Sequence, residues 1–178
     1  MRIISGKYKS RRLVAPKNLP VRPTTDMAKE GLFNILNNWY HFHQLNVLDL
    51  FAGTGNISYE FASRGTENIL AVDQHSGCIH FINKTAKELD FDIQTLKADV
   101  YPFLENHKAQ YDVIFADAPY DFSDEQFNRI ADLVFENNLL DEQGTLVLEH
   151  SLQTDLSNNT YFTQSKRYGS CVFSFFEK

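Results

Sequence analysis

The sequence predicts an α/β protein built on a doubly wound, Rossmann-like, mostly parallel sheet. It also predicts an antiparallel C-terminal hairpin and a small basic N-terminal β-hairpin. Between residues 46 and 150, short apolar β-branched runs alternate with stretches of helical period. A parallel crossover needs a connection of about a dozen residues or more, which such helices supply. After residue 160 the pattern changes to two aromatic, β-branched runs separated by Arg167-Tyr168-Gly169, the pattern of a hairpin.

The elements follow in chain order. Arg2–Ser5 and Arg12–Ala15 read as short strands flanking the turn-prone Ser5-Gly6-Lys7, and Pro16, Pro20 and Pro23 then interrupt regular structure. Thr25 or Asp26 suits a helix N-cap, and a helix runs from Met27 to about Tyr40 with Leu32, Phe33 and Leu36 at helical spacing. Strands are expected at Asn46–Phe51, Asn68–Val72, Ile93–Lys97, Tyr111–Ala116 and Gly144–His150. Helices are expected at Ile57–Ser63, Ser76–Leu89, Val100–Asn106 and about Asp124–Glu136. The closing hairpin takes Thr160–Lys166 and Ser170–Phe175.

A chain of 178 residues fits one core, and with 43% apolar residues it needs no staple. No apolar run approaches the roughly 20 residues of a membrane helix, and the N-terminus lacks a signal peptide's apolar stretch. Cys78 and Cys171 are too few for a disulfide framework and fit a reducing cytosol, so a cytoplasmic protein is expected. It is also expected to be a monomer. The formal charge of −6 hides a division. Residues 1–25 carry Arg2, Lys7, Lys9, Arg11, Arg12, Lys17 and Arg22 and no acid, whereas residues 26–178 hold 10 bases against 23 acids. A basic arm on an acidic body is a footprint of phosphate-backbone binding, so 1–25 reads as an extension and 26–178 as the main domain. The blander reading of the arm is a solvated surface strand.

Ligands of such a sheet bind at the carboxyl ends of its strands, where the strand order reverses. The first strand ends in Asp49-Leu50-Phe51-Ala52-Gly53-Thr54-Gly55-Asn56-Ile57-Ser58, a loop that turns tightly and aims a helix N-terminus at a ligand. A dinucleotide fingerprint would place glycine where Ser58 stands, and Asp49 would repel a pyrophosphate. An acid there suits a cation or an amino-acid ammonium. Strand two ends in Asp73, placed to accept from ribose hydroxyls; strand three is followed by Asp99 and Val100, where a carboxylate can accept from an exocyclic amine. Strand four ends in Asp117-Ala118-Pro119-Tyr120. Each acid alone has a plain structural role as a cap, an ion pair or a solvated residue. Four in succession, the first joined to a Gly-x-Gly loop, argue for a site. The six histidines and two cysteines show no zinc-type spacing, and no Gly-x-Ser-x-Gly nucleophile elbow is present, so no metal is expected.

This order of motifs resembles the class I S-adenosylmethionine-dependent methyltransferases that modify exocyclic amines. The opening Arg2-Ile3-Ile4-Ser5-Gly6-Lys7, with Arg11-Arg12-Leu13, Arg22-Pro23-Thr24-Thr25-Asp26, Lys29-Glu30 and Leu32-Phe33-Asn34-Ile35-Leu36, resembles the RsmD family. Its members are small-subunit (16S) ribosomal RNA guanine-N2 methyltransferases. The resemblance implies a seven-stranded sheet, S-adenosylmethionine as cofactor, and transfer of its methyl group to one guanine. It implies 16S rRNA in a partly assembled small ribosomal subunit as partner, with the basic hairpin as the RNA-binding extension. Ala118 stands where the family usually has proline, and residue 118 would contribute its backbone carbonyl.

On this reading Asp49, Phe51, Gly53 and Gly55 embrace the methionine part of the cofactor, Asp73 takes the ribose, and Asp99 with Val100 takes the adenine. Phe51 is equally suited to the core. Asp117 and the Ala118 carbonyl accept from the guanine amine and orient its lone pair, while Tyr120, beside Pro119, stacks on the base. Asp117 acts by positioning and electrostatics, because the methylated nitrogen can lose its proton to water. Arg2, Lys7, Lys9, Arg11, Arg12 and Arg22 hold phosphates. A DNA adenine-N6 methyltransferase is the nearest alternative, since the same turn serves any exocyclic amine, but 178 residues leave little room for a target-recognition insertion. A nonenzymatic RNA-binding module and a NAD-binding enzyme are further alternatives, disfavoured by the retained acids and by Ser58 respectively.

Overall fold

The computed structural model describes residues 1–20 and 23–178. Helix α1 (Asp26–Trp39) starts at Thr25, whose hydroxyl accepts from the Ala28 N–H at 3.2 Å. Then come strand β1 (Asn46–Leu50), α2 (Asn56–Ser63), β2 (Asn68–Asp73), α3 (Ser76–Leu89) and β3 (Ile93–Lys97). They are followed by α4 (Val100–Asn106), β4 (Tyr111–Asp117), α5 (Asp124–Glu136), β5 (Leu140–Ser151), β6 (Phe162–Tyr168) and β7 (Cys171–Phe176). One seven-stranded sheet runs β3-β2-β1-β4-β5-β7-β6; strands β1 to β5 are parallel, and β7 lies antiparallel between β5 and β6. The order reverses between β1 and β4, so the carboxyl ends of these two strands flank the switch point.

Alternating side chains send the sheet into two apolar layers. One gathers Val47, Phe115 and Phe173 with Leu32 and Phe33 of α1, Phe61 of α2 and Ile82 of α3. The other gathers Leu48, Ile114 and Leu148 with Leu104 of α4 and Phe127, Ile130 and Val134 of α5. Helix α5 is held at its start by a capping box, in which Ser123 and Gln126 satisfy each other's backbone N–H groups.

Several expected boundaries shift for physical reasons. Strand β5 begins at Leu140 rather than Gly144, with a bulge opposite Tyr111–Val113 that absorbs the polar Asp141-Glu142-Gln143. Strand β6 begins at Phe162 because Asn159 Oδ1 accepts from the Tyr161 N–H, forming a turn, and the Tyr161 ring stacks on Phe135. A 3₁₀ turn at Phe42–Gln44, unexpected from the sequence, buries Phe42 against Phe33 and Phe61.

The N-terminal hairpin forms in a shorter shape than expected. The Ile3 N–H donates to the Arg11 carbonyl and the Leu13 N–H to the Met1 carbonyl around one antiparallel bridge, Arg2 to Arg12, and the pairing does not extend into strands over Arg2–Ser5 and Arg12–Ala15. Beyond the bridge the Ile4 and Ser5 N–H groups donate to the two oxygens of Glu60 at 2.8 and 3.0 Å, which ties the turn to α2. Gly6 has a φ of +81°, and a Cβ there would collide with the Ser63 carbonyl. Ile3 and Leu13 join the core.

Glu60, fully buried, also meets Arg64 Nε at 2.8 Å and Lys29 Nζ at 3.4 Å. Lys29, equally buried, donates to the Arg2 carbonyl at 2.6 Å and to Asn56 Oδ1 at 2.8 Å. Burial pushes the Lys29 ammonium below its ordinary pKa, and Glu60 opposes the shift. Removing one member of a buried pair strands the rest, so Glu60→Ala is expected to cost about 3–5 kcal/mol in urea unfolding. Lys29→Met should cost less, because Glu60 keeps Arg64 and two backbone donors. A loss under about 1 kcal/mol for Glu60→Ala would contradict this role.

Candidate active site

A cleft of about 860 Å³ opens over the carboxyl ends of β1, β2 and β4. Its floor is made by the turn after β1. Phe51 and Gly53 adopt left-handed φ values of +54° and +53°, and Gly55, at +81°, caps α2. A Cβ at Gly55 would lie 2.9 Å from Tyr59 and 3.0 Å from Ile82, so the turn needs glycine there twice over. The Ala52 N–H donates to the Val72 carbonyl and the Gly55 N–H to the Ala52 carbonyl, which closes the turn against β2. Phe51 is half-buried, its ring edge-on to Phe122.

Asp49 lies beneath this turn, almost fully buried. One oxygen accepts from the Ser58 N–H at 3.1 Å and from the Ser58 hydroxyl at 2.5 Å. Burial raises its pKa to about 7; the Ser58 hydrogen bonds oppose that rise and nearby Asp73 adds to it. Ser58, which the sequence marks only as a missing glycine, is thus the group that anchors Asp49. Asp73 accepts from the Gly53 N–H at 2.8 Å and the His75 N–H at 2.7 Å, so it braces the glycine turn while facing the cleft. A carboxylate oxygen has capacity for more than one donor, so both oxygens remain able to take a ribose hydroxyl. Asp99 is exposed and caps α4 through the Tyr101 N–H at 3.0 Å, and Val100 beside it is buried at the cleft wall.

At the far wall, Asp117, Ala118, Pro119 and Tyr120 form the turn leaving β4, and all four line the cleft. Burial, then Glu149 and then Asp49, pushes the Asp117 carboxyl well above the usual carboxylate range. Tyr120 is 40% exposed, and its hydroxyl donates to Glu149 Oε1 at 3.0 Å. Among the described residues no salt bridge reaches Asp49, Asp73, Asp99 or Asp117. A row of acids that faces a cleft without a basic partner among the described residues suits a cationic or hydroxyl-rich ligand.

Of the site residues expected from sequence, ten line this one cleft and Gly55 closes the turn below it. Lys7, Lys9, Arg11 and Arg12 are exposed on the N-terminal turn with no ion-pair partner among the described residues, whereas Arg2 pairs with Asp26 at 3.0 Å. Arg22 lies outside the described residues. Sequence reasoning missed Glu149, although the strand-end rule that picks out the aspartates also reaches it in Leu148-Glu149-His150. It missed Thr24 as well, whose hydroxyl donates to Glu149 Oε2 at 2.6 Å.

The raised Asp49 pKa has a consequence for stability. Between about pH 4 and pH 7 the unfolded chain releases this proton while the folded chain keeps it, so the group lowers stability as pH rises, by about 4 kcal/mol in all. Asp49→Asn removes that loss. Its stability relative to the parent should therefore rise by about 2–3 kcal/mol between pH 5 and pH 8 in urea unfolding, and a pH-independent difference would contradict the burial account.

A family model described as "Conserved hypothetical protein 95" matches residues 1–177. The chain is 31% identical to "Putative rRNA methyltransferase YlbH" of Bacillus subtilis, over 100% of this chain and 99% of that protein. It is 30% identical to "Ribosomal RNA small subunit methyltransferase D" of Haemophilus influenzae, covering 98% and 91% of the two chains. The fold is shared with a Thermus thermophilus 16S rRNA N2 methyltransferase (RsmC) solved with AdoMet and guanosine, at a TM-score of 0.70 and 20% identity over 90% of this chain and 45% of that one. With its motifs on one rim and the family match running almost end to end, the chain belongs to the RsmD family of methyltransferases, the family described as conserved hypothetical protein 95.

Proposed function

We propose that the protein transfers a methyl group from S-adenosylmethionine to the exocyclic N2 of a guanine in 16S rRNA, acting as a monomer on a partly assembled small subunit. The observation that carries this reading is the opposition, across one cleft, of the glycine turn with Asp49 and Asp73 to the Asp117–Tyr120 turn. The cleft fits the cofactor: it is long enough to touch the ends of three strands, and its acids include one, Asp49, in need of a cation. When bound, S-adenosylmethionine supplies a methyl group already activated by its positive sulfur.

The chain's own residues do the rest. Asp49 holds the amino-acid ammonium, whose charge returns its pKa toward the ordinary range. Asp73 takes the ribose hydroxyls, Asp99 and the Val100 backbone take the adenine edge, and Phe51, Gly53 and Gly55 shape the turn around the methionine part. Asp117 and the Ala118 carbonyl accept the two N–H groups of the guanine amine, directing its delocalised lone pair toward the donor. They also stabilise the positive charge that grows there. The Tyr120 ring, with Pro119, gives the base a flat wall to stack on.

The base must leave its stack to enter, which costs a few kcal/mol and least for an unpaired nucleotide. Residues 1–25 form the RNA-binding extension, with Lys7, Lys9, Arg11 and Arg12 free to meet phosphates and Arg2 available once it leaves Asp26.

Mass spectrometry of 16S rRNA from cells with and without the gene should show one methylguanine lost; an unchanged methylguanine content would overturn the reading. Asp117→Ala should keep cofactor affinity within about threefold while lowering turnover by at least about 100-fold, on the scale of other charge-stabilising contacts. Loss of cofactor binding in parallel would place Asp117 in a structural role. Replacing Arg11 and Arg12 by Gln should weaken particle binding and reduce its salt slope by up to about two, with cofactor affinity unchanged. An unaltered salt slope would remove these residues from the RNA interface.

A further inference from the structure

The cofactor and base-stacking roles leave the buried Glu149 unused. It sits on β5 directly beside Asp117 in the strand register, and it accepts from two hydroxyls at once. Tyr120 donates to one oxygen at 3.0 Å and Thr24 to the other at 2.6 Å. Thr24 is buried too, and its backbone carbonyl accepts from Asn56 Nδ2 at 3.0 Å. Asn56 Oδ1 in turn accepts from Lys29, which also donates to the Arg2 carbonyl. A continuous run of hydrogen bonds therefore joins the N-terminal turn, the start of α2, the segment before α1 and the turn after β4.

Tyr120 needs such a hold. It is 40% exposed, and it borders a second, smaller pocket of about 130 Å³ that is also lined by Thr24, Met27, Tyr168 and Cys171. An aromatic ring at the boundary of two open spaces, fixed at its tip by one hydrogen bond, has somewhere to swing when that bond is lost.

We propose that Glu149 is a positioning residue for the target base: by bridging Thr24 and Tyr120 it locks the stacking ring to the segment that ends the basic arm. The proposal rests on the reaction proposed above. A positioned ring affects the bound, oriented base more than first binding, so loss of the bridge falls on kcat, and Thr24, although it also borders the cleft, acts on turnover through Glu149.

The test compares Thr24→Val, Thr24→Ser, Glu149→Gln and Tyr120→Phe with the parent protein. Turnover is measured on small-subunit particles from cells lacking the gene. The ring is read separately by fluorine NMR of protein labelled with 3-fluorotyrosine, the Tyr120 signal being the one absent from Tyr120→Phe. Thr24→Val is expected to lower kcat about tenfold, with the cofactor KM within about twofold, and to shift or sharpen the Tyr120 signal. Thr24→Ser, which keeps the hydroxyl, should restore most of both. Tyr120→Phe, which tests the bridge from the exposed end should Thr24→Val unfold, is expected to lower kcat similarly. Combining it with Thr24→Val should add little, because both break one bridge.

If parent and variants transfer no methyl group while the Tyr120 signal still responds to Thr24→Val, the proposed reaction fails and the bridge stands. If the parent is active and Thr24→Val changes neither kcat nor the signal, the bridge is overturned. Multiplying losses in the double variant, or a loss confined to thermal stability, would also overturn it.

Discussion

Burying carboxyl groups side by side is electrostatically unfavourable, and this fold does so at its functional rim. Parallel strands bring the ends of β1, β2, β4 and β5 to one edge, and each carries an acid at or within two residues of its end: Asp49, Asp73, Asp117 and Glu149. Asp49 and Asp117 answer by rising in pKa, largely because burial disfavours their charged forms, and each also senses a neighbouring acid. Hydroxyl and backbone donors, from Ser58 to Asp49 and from Gly53 and His75 to Asp73, fix these groups without neutralising them. Such a rim favours a positively charged, hydroxyl-bearing ligand, and it is the constraint from which the proposed binding mode, orientation and chemistry all follow.

The alternation of strand and helix was legible because the signals are local: Thr25 caps α1, the apolar spacing marks α3 and α5, and short apolar runs mark β1, β2 and β4. The strand-end acids were legible by the same logic, since a parallel sheet converts sequence order into spatial adjacency. What the sequence could not reveal depends on partners far apart along the chain. Ile4 and Ser5 have strand-forming residues around them, yet their N–H groups are taken by Glu60, more than 50 positions away. Ser58 lost its glycine role and gained one as the donor to Asp49, which only the folded turn displays. Thr24 and Glu149 are 125 residues apart and meet only once β5 is in place.

The same long-range contacts change how the basic arm is understood. Its apolar residues Ile3 and Leu13 belong to the core, and buried Lys29 and Glu60 clasp its backbone. The charged side chains of Lys7, Lys9, Arg11 and Arg12 project outward. A rigidly held basic turn costs less ordering on binding than a loose tail would, and it sets a fixed distance between any phosphate it meets and the Asp117–Tyr120 turn. In the proposed reaction, recognition and methyl transfer then belong to two ends of one hydrogen-bonded body.

The most direct measurement is a crystal structure of the chain with S-adenosylhomocysteine. The account predicts the ribose hydroxyls within hydrogen-bond distance of Asp73, the amino-acid ammonium at Asp49, and the sulfur facing Asp117 across the cleft. A ligand seated elsewhere, or an Asp117 turned away from that sulfur, would contradict it.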